Sequence, residues 1–156
     1  MARFSSRTSA EAVVAAPRQA IWDVLVDPDL VAKLTPFLKK ITADGELWRW
    51  EMSGLDVLGL KVAPAFTERM VFEDLERIEF HHEPPTGTKE RSGVEGWYQL
   101  TEVDGGTHLA TSLEITLDLP LPKLSSPAVT SAMKGVMGTM GDRFSKNLLD
   151  HLGIVD

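Results

Sequence analysis

The chain has 156 residues, a formal net charge of -7 and no cysteine. The acidic balance excludes non-specific nucleic-acid binding, which needs Lys and Arg to displace phosphate counterions, and it opposes adhesion to an anionic membrane; the pair Lys39-Lys40 leaves room only for brief local docking. The missing cysteines exclude disulfides, thiolate metal sites and a cysteine nucleophile. At 43% hydrophobic and 25% charged residues, the composition is that of a soluble globular protein, and a single domain over residues 1–156 is expected. No apolar run approaches the ~20 residues of a spanning helix, and no secretory signal opens the chain, so the cytoplasm is the expected compartment and stable membrane insertion is not.

Residues 3–14 read as a strand with few large apolar groups. Pro17 is suited to the first position of a helix, where its missing N–H costs nothing, and Ile21, Val24 and Leu25 recur at helical spacing beside Trp22. Asp27-Pro28-Asp29 breaks that helix and starts a shorter one with Leu30, Val31 and Leu34 on its apolar face, ended by Thr35-Pro36. The period then changes to two. Trp48, Trp50 and Met52 share one face over 47–52. Phe66, Glu68, Met70 and Phe72 share one over 66–72, and Ile78, Phe80 and His82 over 78–82. Val94, Gly96, Tyr98 and Leu100 oppose Glu95, Trp97 and Gln99. The clearest alternation sets Leu109, Thr111, Leu113, Ile115, Leu117 and Leu119 against polar neighbours. Gly45, Pro84-Pro85-Thr86-Gly87 and Asp104-Gly105-Gly106 punctuate these runs as turns. One-sided alternation in successive strands predicts an antiparallel sheet with one face covered.

The cover is the segment 127–152, a helix in which Met133, Met137, Met140, Phe144 and Leu148 form a stripe. Gly135, Gly138 and Gly141 recur on a second stripe. Each costs about 0.5–1 kcal/mol relative to Ala inside a helix, so close backbone approach, a kink or mobility is expected there. The region 55–64 reads as a loop.

The run from Val13 through Pro17 into Ile21-Trp22-Asp23-Val24-Leu25-Val26-Asp27 resembles the entry to the first helix of the birch-pollen-allergen/START superfamily (SRPBCC), in its polyketide cyclase/dehydrase and lipid-transport branch. Gly96-Trp97-Tyr98-Gln99-Leu100, Gly106-Thr107 and the strand ending Leu119-Pro120-Leu121-Pro122 resemble that branch's last hairpin. Where many members carry a tryptophan-proline cluster, this chain has Leu34-Thr35-Pro36-Phe37. The resemblance implies an α+β helix-grip fold: a curved antiparallel sheet wrapped around a long C-terminal helix, with two short helices after the first strand. It also implies an apolar cavity between sheet and helix. Relatives bind lipids, sterols, quinones or hormones, cyclise polyketides, or activate a heat-shock chaperone. Fold alone does not choose among these.

A cavity would be walled by Trp48, Trp50, Phe66, Met70, Tyr98, Leu100, Leu113 and Leu117 from the sheet and by Met133, Met137 and Met140 from the helix. Methionine suits a wall that must fit varied shapes, and the same residues also read as plain core. Glu68, His82 and Tyr98 interrupt the apolar faces, where burial is unfavourable without partners. They are candidates to fix a ligand's polar end. In a catalytic version Glu68 or His82 would be a general base and Tyr98 a proton donor to an enolate. His81 and His82 are adjacent in a strand and point to opposite faces, so no metal site is expected; no cofactor is expected either. The leading expectation is a non-enzymatic binder of a hydrophobic small molecule such as a lipid, quinone or polyketide-like ring system. The alternatives are a cyclase or aromatase, or a chaperone-activator-like module that meets a protein partner through Trp97 on the outer face.

Overall fold

Residues 2–154 are described by the structure, a computed structural model. The elements run β1 (Ala2–Val14), α1 (Arg18–Leu25), α2 (Pro28–Leu34), β2 (Leu38–Asp44), β3 (Leu47–Met52), β4 (Leu55–Val57), β5 (Leu60–Val62), β6 (Ala65–Glu73), β7 (Arg77–His82), β8 (Ser92–Val103), β9 (Gly106–Leu119), a 3-10 turn (Lys123–Ser125) and α3 (Ser126–His151). Seven strands form a curved, unclosed antiparallel sheet in the order β1-β9-β8-β7-β6-β3-β2, with α1, α2 and α3 as its helices. This is the helix-grip arrangement expected of the sequence.

Local chemistry sets the helix starts. Pro17, at φ -63°, stands just before α1. Pro28 opens α2, and the Asp27 carboxylate accepts the Asp29 and Leu30 amide hydrogens at 3.0 and 3.2 Å, satisfying two of the donors that a helix start leaves unpaired. Thr107, fully buried, donates its hydroxyl to the Ala16 carbonyl at 2.8 Å and ties the start of β9 to the entry of α1.

The core lies on the sheet's inner face. Ile21, Trp22, Leu25 and Val31 from the short helices pack with Trp48, Phe66, Met70, Ile78, Phe80, Val94 and Leu100 from the strands. A second cluster joins Phe4, Leu117 and Leu119 to Val57, Val129 and Met133. Leu148, near the far end of α3, closes a third with Val24 and Leu34.

Two parts of the sequence reading are corrected. Strand β2 was not expected, because it exposes Lys39, Lys40, Thr42, Ala43 and Asp44 and buries only Ile41, so no alternation stands out. The segment 55–64 is not a plain loop: β4 and β5 make a small hairpin of their own. Its two turn residues, Leu58 and Gly59, both have positive φ (52° and 83°), and Asp56 accepts the Gly59 amide hydrogen at 2.8 Å. The helix glycines also differ from one expectation. Gly135, Gly138 and Gly141 are exposed, with nothing within 4 Å of where a Cβ would stand, so close backbone approach does not explain them.

Candidate functional site

Alternation along β6 turns Glu68 inward between Phe66 and Met70, and pairing sets it beside Trp48 on β3. Glu68 is 2% exposed, and its Oε2 has no hydrogen-bond partner. Burial, and then the negative charge of Glu95, hold its carboxyl well above the ordinary glutamate range. A buried carboxyl with no cation beside it keeps its proton. It thereby becomes a hydrogen-bond donor inside an apolar wall.

Tyr98 on β8 is in register with Ile78 on β7 and Thr111 on β9. Its phenol is pushed up to about 12 by burial and by the Glu68 charge, so the hydroxyl stays protonated at any physiological pH. Its ring lies 5.7 Å from that of Phe80 at 56°. Only glycine fits at position 96: a Cβ there would clash with the Ser112 backbone carbonyl oxygen and stand 2.6 and 2.8 Å from Phe80 ring carbons. Trp50 stacks on Phe66 at 5.9 Å and 15°, and its Nε1 is buried with no partner. Ser6 on β1 contributes a third buried atom without a partner, its Oγ.

The expected cavity wall divides between two clusters. Trp48, Trp50, Phe66, Met70, Tyr98, Leu100, Leu113 and Met140 pack in the first, whereas Leu117 and Met133 belong to the cluster around Phe4 and Val129. Ile115 touches both. Met137 is buried as well, at 5% exposure. Most of these residues are buried outright, while Trp50, Tyr98, Leu113, Ile115 and Met140 are half-buried.

His82 is the register partner of Glu68 across β6 and β7, but its ring is bonded elsewhere. Pairing with β8 stops at Phe80, and the His82 ring turns to the Glu90 carboxylate, with Nε2 at 2.9 Å from Oε1. Glu90 sits where β7 leaves the sheet. It also accepts the Thr67 amide hydrogen and hydroxyl, each at 2.8 Å, and lies 3.5 Å from Arg49. His82 thus keeps the strand position expected of it, opposite Glu68, while a carboxylate anchored at the strand's end holds its ring. No signal in the sequence marks Glu90, which reads as one more charge in a solvated turn.

On the outer face, His82, Glu90, Arg91, Arg3, Arg7 and Glu114 line a depression of about 450 Å³. An adjoining one of about 240 Å³ carries Trp97, Arg77, Glu79 and His81. Its charges are mutually paired. His81 bridges Glu95 at 3.1 Å and Glu79 at 3.2 Å. Its hydrogen bond to Glu95, ahead of that to Glu79, lifts its pKa above the ordinary histidine value. Trp97 is half-buried beneath the Arg77 guanidinium, 4.8 Å from the ring centre, and so is less open to a partner than an isolated exposed aromatic. Among the described residues, no three His, Asp or Glu side chains are grouped to hold a metal, and no helix is long and apolar enough to cross a membrane.

Comparison with known proteins fits this arrangement. Residues 5–149 match the family model described as polyketide cyclase / dehydrase and lipid transport. No curated protein matches the chain in sequence. Among solved structures, the Zhui aromatase/cyclase from Streptomyces sp. R1128 is 16% identical with a TM-score of 0.69, over 94% of this chain and 93% of that one. A Thermus thermophilus protein is 18% identical with a TM-score of 0.66, over 93% and 98% of the two chains. A START superfamily protein from Mycobacterium smegmatis is 16% identical with a TM-score of 0.66, over 93% and 95%. At these identities the likeness is one of fold.

Proposed function

Because the chain belongs to the polyketide cyclase / dehydrase and lipid transport family, we propose that it binds a neutral, oxygen-bearing hydrophobic molecule between the sheet and α3, with residues 1–156 acting as one domain around it. The observation that carries this reading is the set of polar atoms buried on the inner face without partners, Glu68 Oε2 and Trp50 Nε1 foremost. Leaving such groups unpaired costs about 1–3 kcal/mol each, a cost that a bound ligand removes. Trp50 Nε1 and the Tyr98 hydroxyl donate, and so does a protonated Glu68. The matching ligand presents acceptors: a carbonyl, a quinone or a phenolic oxygen on an apolar body. A free carboxylate or phosphate would find no cation beside Glu68, whose surroundings are apolar burial and the charge of Glu95.

Native mass spectrometry of freshly purified protein, followed by organic extraction, tests this. A co-purifying neutral apolar molecule, lost from a Glu68→Leu/Trp50→Phe variant, is the expected result. An empty protein that also takes up no quinone, sterol or polyphenol from a panel would overturn it.

A second reading is favoured by one specific feature. A carboxyl that keeps its proton can act as a general acid in aldol cyclisation of a poly-β-ketone: the enol form of the substrate attacks a second carbonyl and loses its hydroxyl proton to solvent, while Glu68 gives its proton to the alkoxide oxygen that forms. Glu68→Gln would then abolish turnover of a poly-β-ketone while leaving its binding largely intact; loss of both together returns the site to plain binding.

Entry requires the cover to move, at α3 or at the β4–β5 hairpin. The three exposed helix glycines favour α3, since they loosen it while packing against nothing. Ligand exchange should slow in a Gly135→Ala/Gly138→Ala variant, measured by stopped-flow displacement. Unchanged rates in the folded double variant would remove α3 from the gate.

A further inference from the structure

The two edges of the sheet are built differently. Edge strand β2 is short, carries Lys39 and Lys40, and has a register irregularity between Leu38 and Lys40. These are the features by which proteins keep an edge from pairing with another chain. Edge strand β1 is neither short nor bulged; its charges are Arg3, Arg7 and Glu11, and α3 packs against it. It is 13 residues long, contains neither proline nor lysine, and pairs with β9 in unbroken register from Ala2 to Val14.

The direction of its free backbone groups follows from the pairing. Asp118 donates its amide hydrogen to the Arg91 carbonyl on the β8 side, so the even-numbered residues of β9 face β8 and the odd-numbered ones face β1. Their partners in β1 are the even residues, as in Phe4 with Leu117 and Ser6 with Ile115. The odd residues of β1 therefore point their N–H and C=O groups off the edge. Consistently, the Arg3 carbonyl faces outward and accepts from Lys123 Nζ at 2.9 Å. From Ser5 to Val13, no strand among the described residues meets these groups. On this stretch Ser5, Arg7, Ser9, Glu11 and Val13 are all exposed.

The side chains choose a partner. Arg7 and Glu11 stand symmetrically two residues either side of Ser9. We propose that β1 pairs antiparallel with β1 of a second copy of this chain, on a two-fold axis through Ser9. In that register Ser9 opposes Ser9 of the second copy, Arg7 opposes its Glu11, and Ser5 opposes its Val13. The outward-pointing odd residues then form the hydrogen-bonded pairs that an antiparallel ladder requires. A register centred on Arg7 would instead set the two guanidiniums against each other. The present partners of Arg7 and Glu11 leave both free to turn: Glu114 and His108 lie at 3.4 Å, and the Arg7 and Glu11 side chains are 70% and 73% exposed. On the inner face the register sets Thr8 against Ala10 and Ser6 against Ala12, small groups that let the two sheets continue as one.

The absence of cysteine makes the test direct. In a Ser9→Cys variant the two thiols meet across the axis, within the roughly 4.4–6.8 Å Cα separation that a disulfide spans. Mild oxidation of the full chain should give covalent dimer, whereas Ser5→Cys, facing Val13 of the second copy, should not. Sedimentation should show a dimer that Arg7→Glu weakens about tenfold or more through two repulsive cross-strand pairs, and that Arg7→Glu/Glu11→Arg restores. Cross-linking of the Ser9→Cys variant no faster than that of Ser5→Cys, or a double swap that fails to restore what the single reversal loses, overturns the pairing. So does a wild-type chain that stays monomeric throughout the concentration series.

Discussion

Replacing Glu68 by Gln removes a titratable proton from the core and keeps the side chain's shape. In the folded chain the carboxyl is held well above the ordinary range, chiefly by burial. Below the pH at which a solvated glutamate ionises, folded and unfolded chains both carry the proton, and the group contributes no pH dependence. As pH rises past that point the unfolded chain releases its proton and the folded one does not, so stability falls until the folded group also ionises. One proton held by the native state alone gives a slope of about 1.4 kcal/mol per pH unit. Urea unfolding of wild type and Glu68→Gln from pH 4 to neutrality isolates this contribution, because groups not coupled to Glu68 titrate identically in both and Tyr98, which is coupled to it, stays protonated throughout. The difference between the two should tilt against wild type by that slope from about pH 4.5 upward. Glu68→Leu, which removes the orphaned polar atom altogether, should gain about 1–3 kcal/mol at neutral pH. A difference between wild type and Glu68→Gln that stays constant with pH would refute the argument, since it would mean that the buried carboxyl ionises as freely as in water.

Three further outcomes follow from single residues. Tyr98 is the one tyrosine of the chain, so ultraviolet titration should show a single tyrosinate transition near 12; a transition at the ordinary phenol value would place the ring in water. Gly96→Ala drives a methyl against the Ser112 backbone carbonyl and to within 2.6 Å of the Phe80 ring and should destabilise by about 1–3 kcal/mol, read as a shifted urea midpoint; no shift would mean that both the β9 backbone and Phe80 give way without cost. Leu58 occupies a left-handed position, φ 52°, at 52% exposure. Leu58→Asn should therefore stabilise by about 1 kcal/mol, and a loss instead would show that the leucine makes a contact worth more than its strain.

The sheet was legible where one face is buried and the other wet, because alternation then appears in the residue types themselves. Strand β9 shows it over its whole length, and the methionine stripe of α3 shows the matching face of the cover. Legibility failed where that asymmetry is missing. Strand β2 sits at an edge with a bulge and buries one residue. Hairpin β4–β5 has three residues on each side and a Leu-Gly turn, where Asn-Gly would have announced itself. Glu68 and Tyr98 could be found as polar residues in an apolar alternation. His82 fits the same pattern and pairs in register with Glu68, but its ring is claimed by Glu90, eight residues on, whose own anchors are on β6 and β3. A strand's period gives the position of a residue but not which polar group claims its side chain, and at His82 β7 still pairs with β6 but has lost β8.

That divergence narrows the chemistry open to the inner face. With His82 engaged by Glu90, the groups left among the apolar side chains are Glu68, Tyr98, Trp50 and Ser6, and none of them is a base at neutral pH when Glu68 holds its proton. Whatever occupies the face is met by hydrogen-bond donors in a weakly polar surround, which stabilises negative charge developing on an oxygen and offers nothing to a cation. A binder and an acid catalyst share these requirements, and they differ only in whether the Glu68 proton leaves. The pH dependence of Glu68→Gln therefore bears on both readings: if wild type shows no extra slope, the proton is not retained, and neither a donor to a neutral ligand nor a general acid stands at that position.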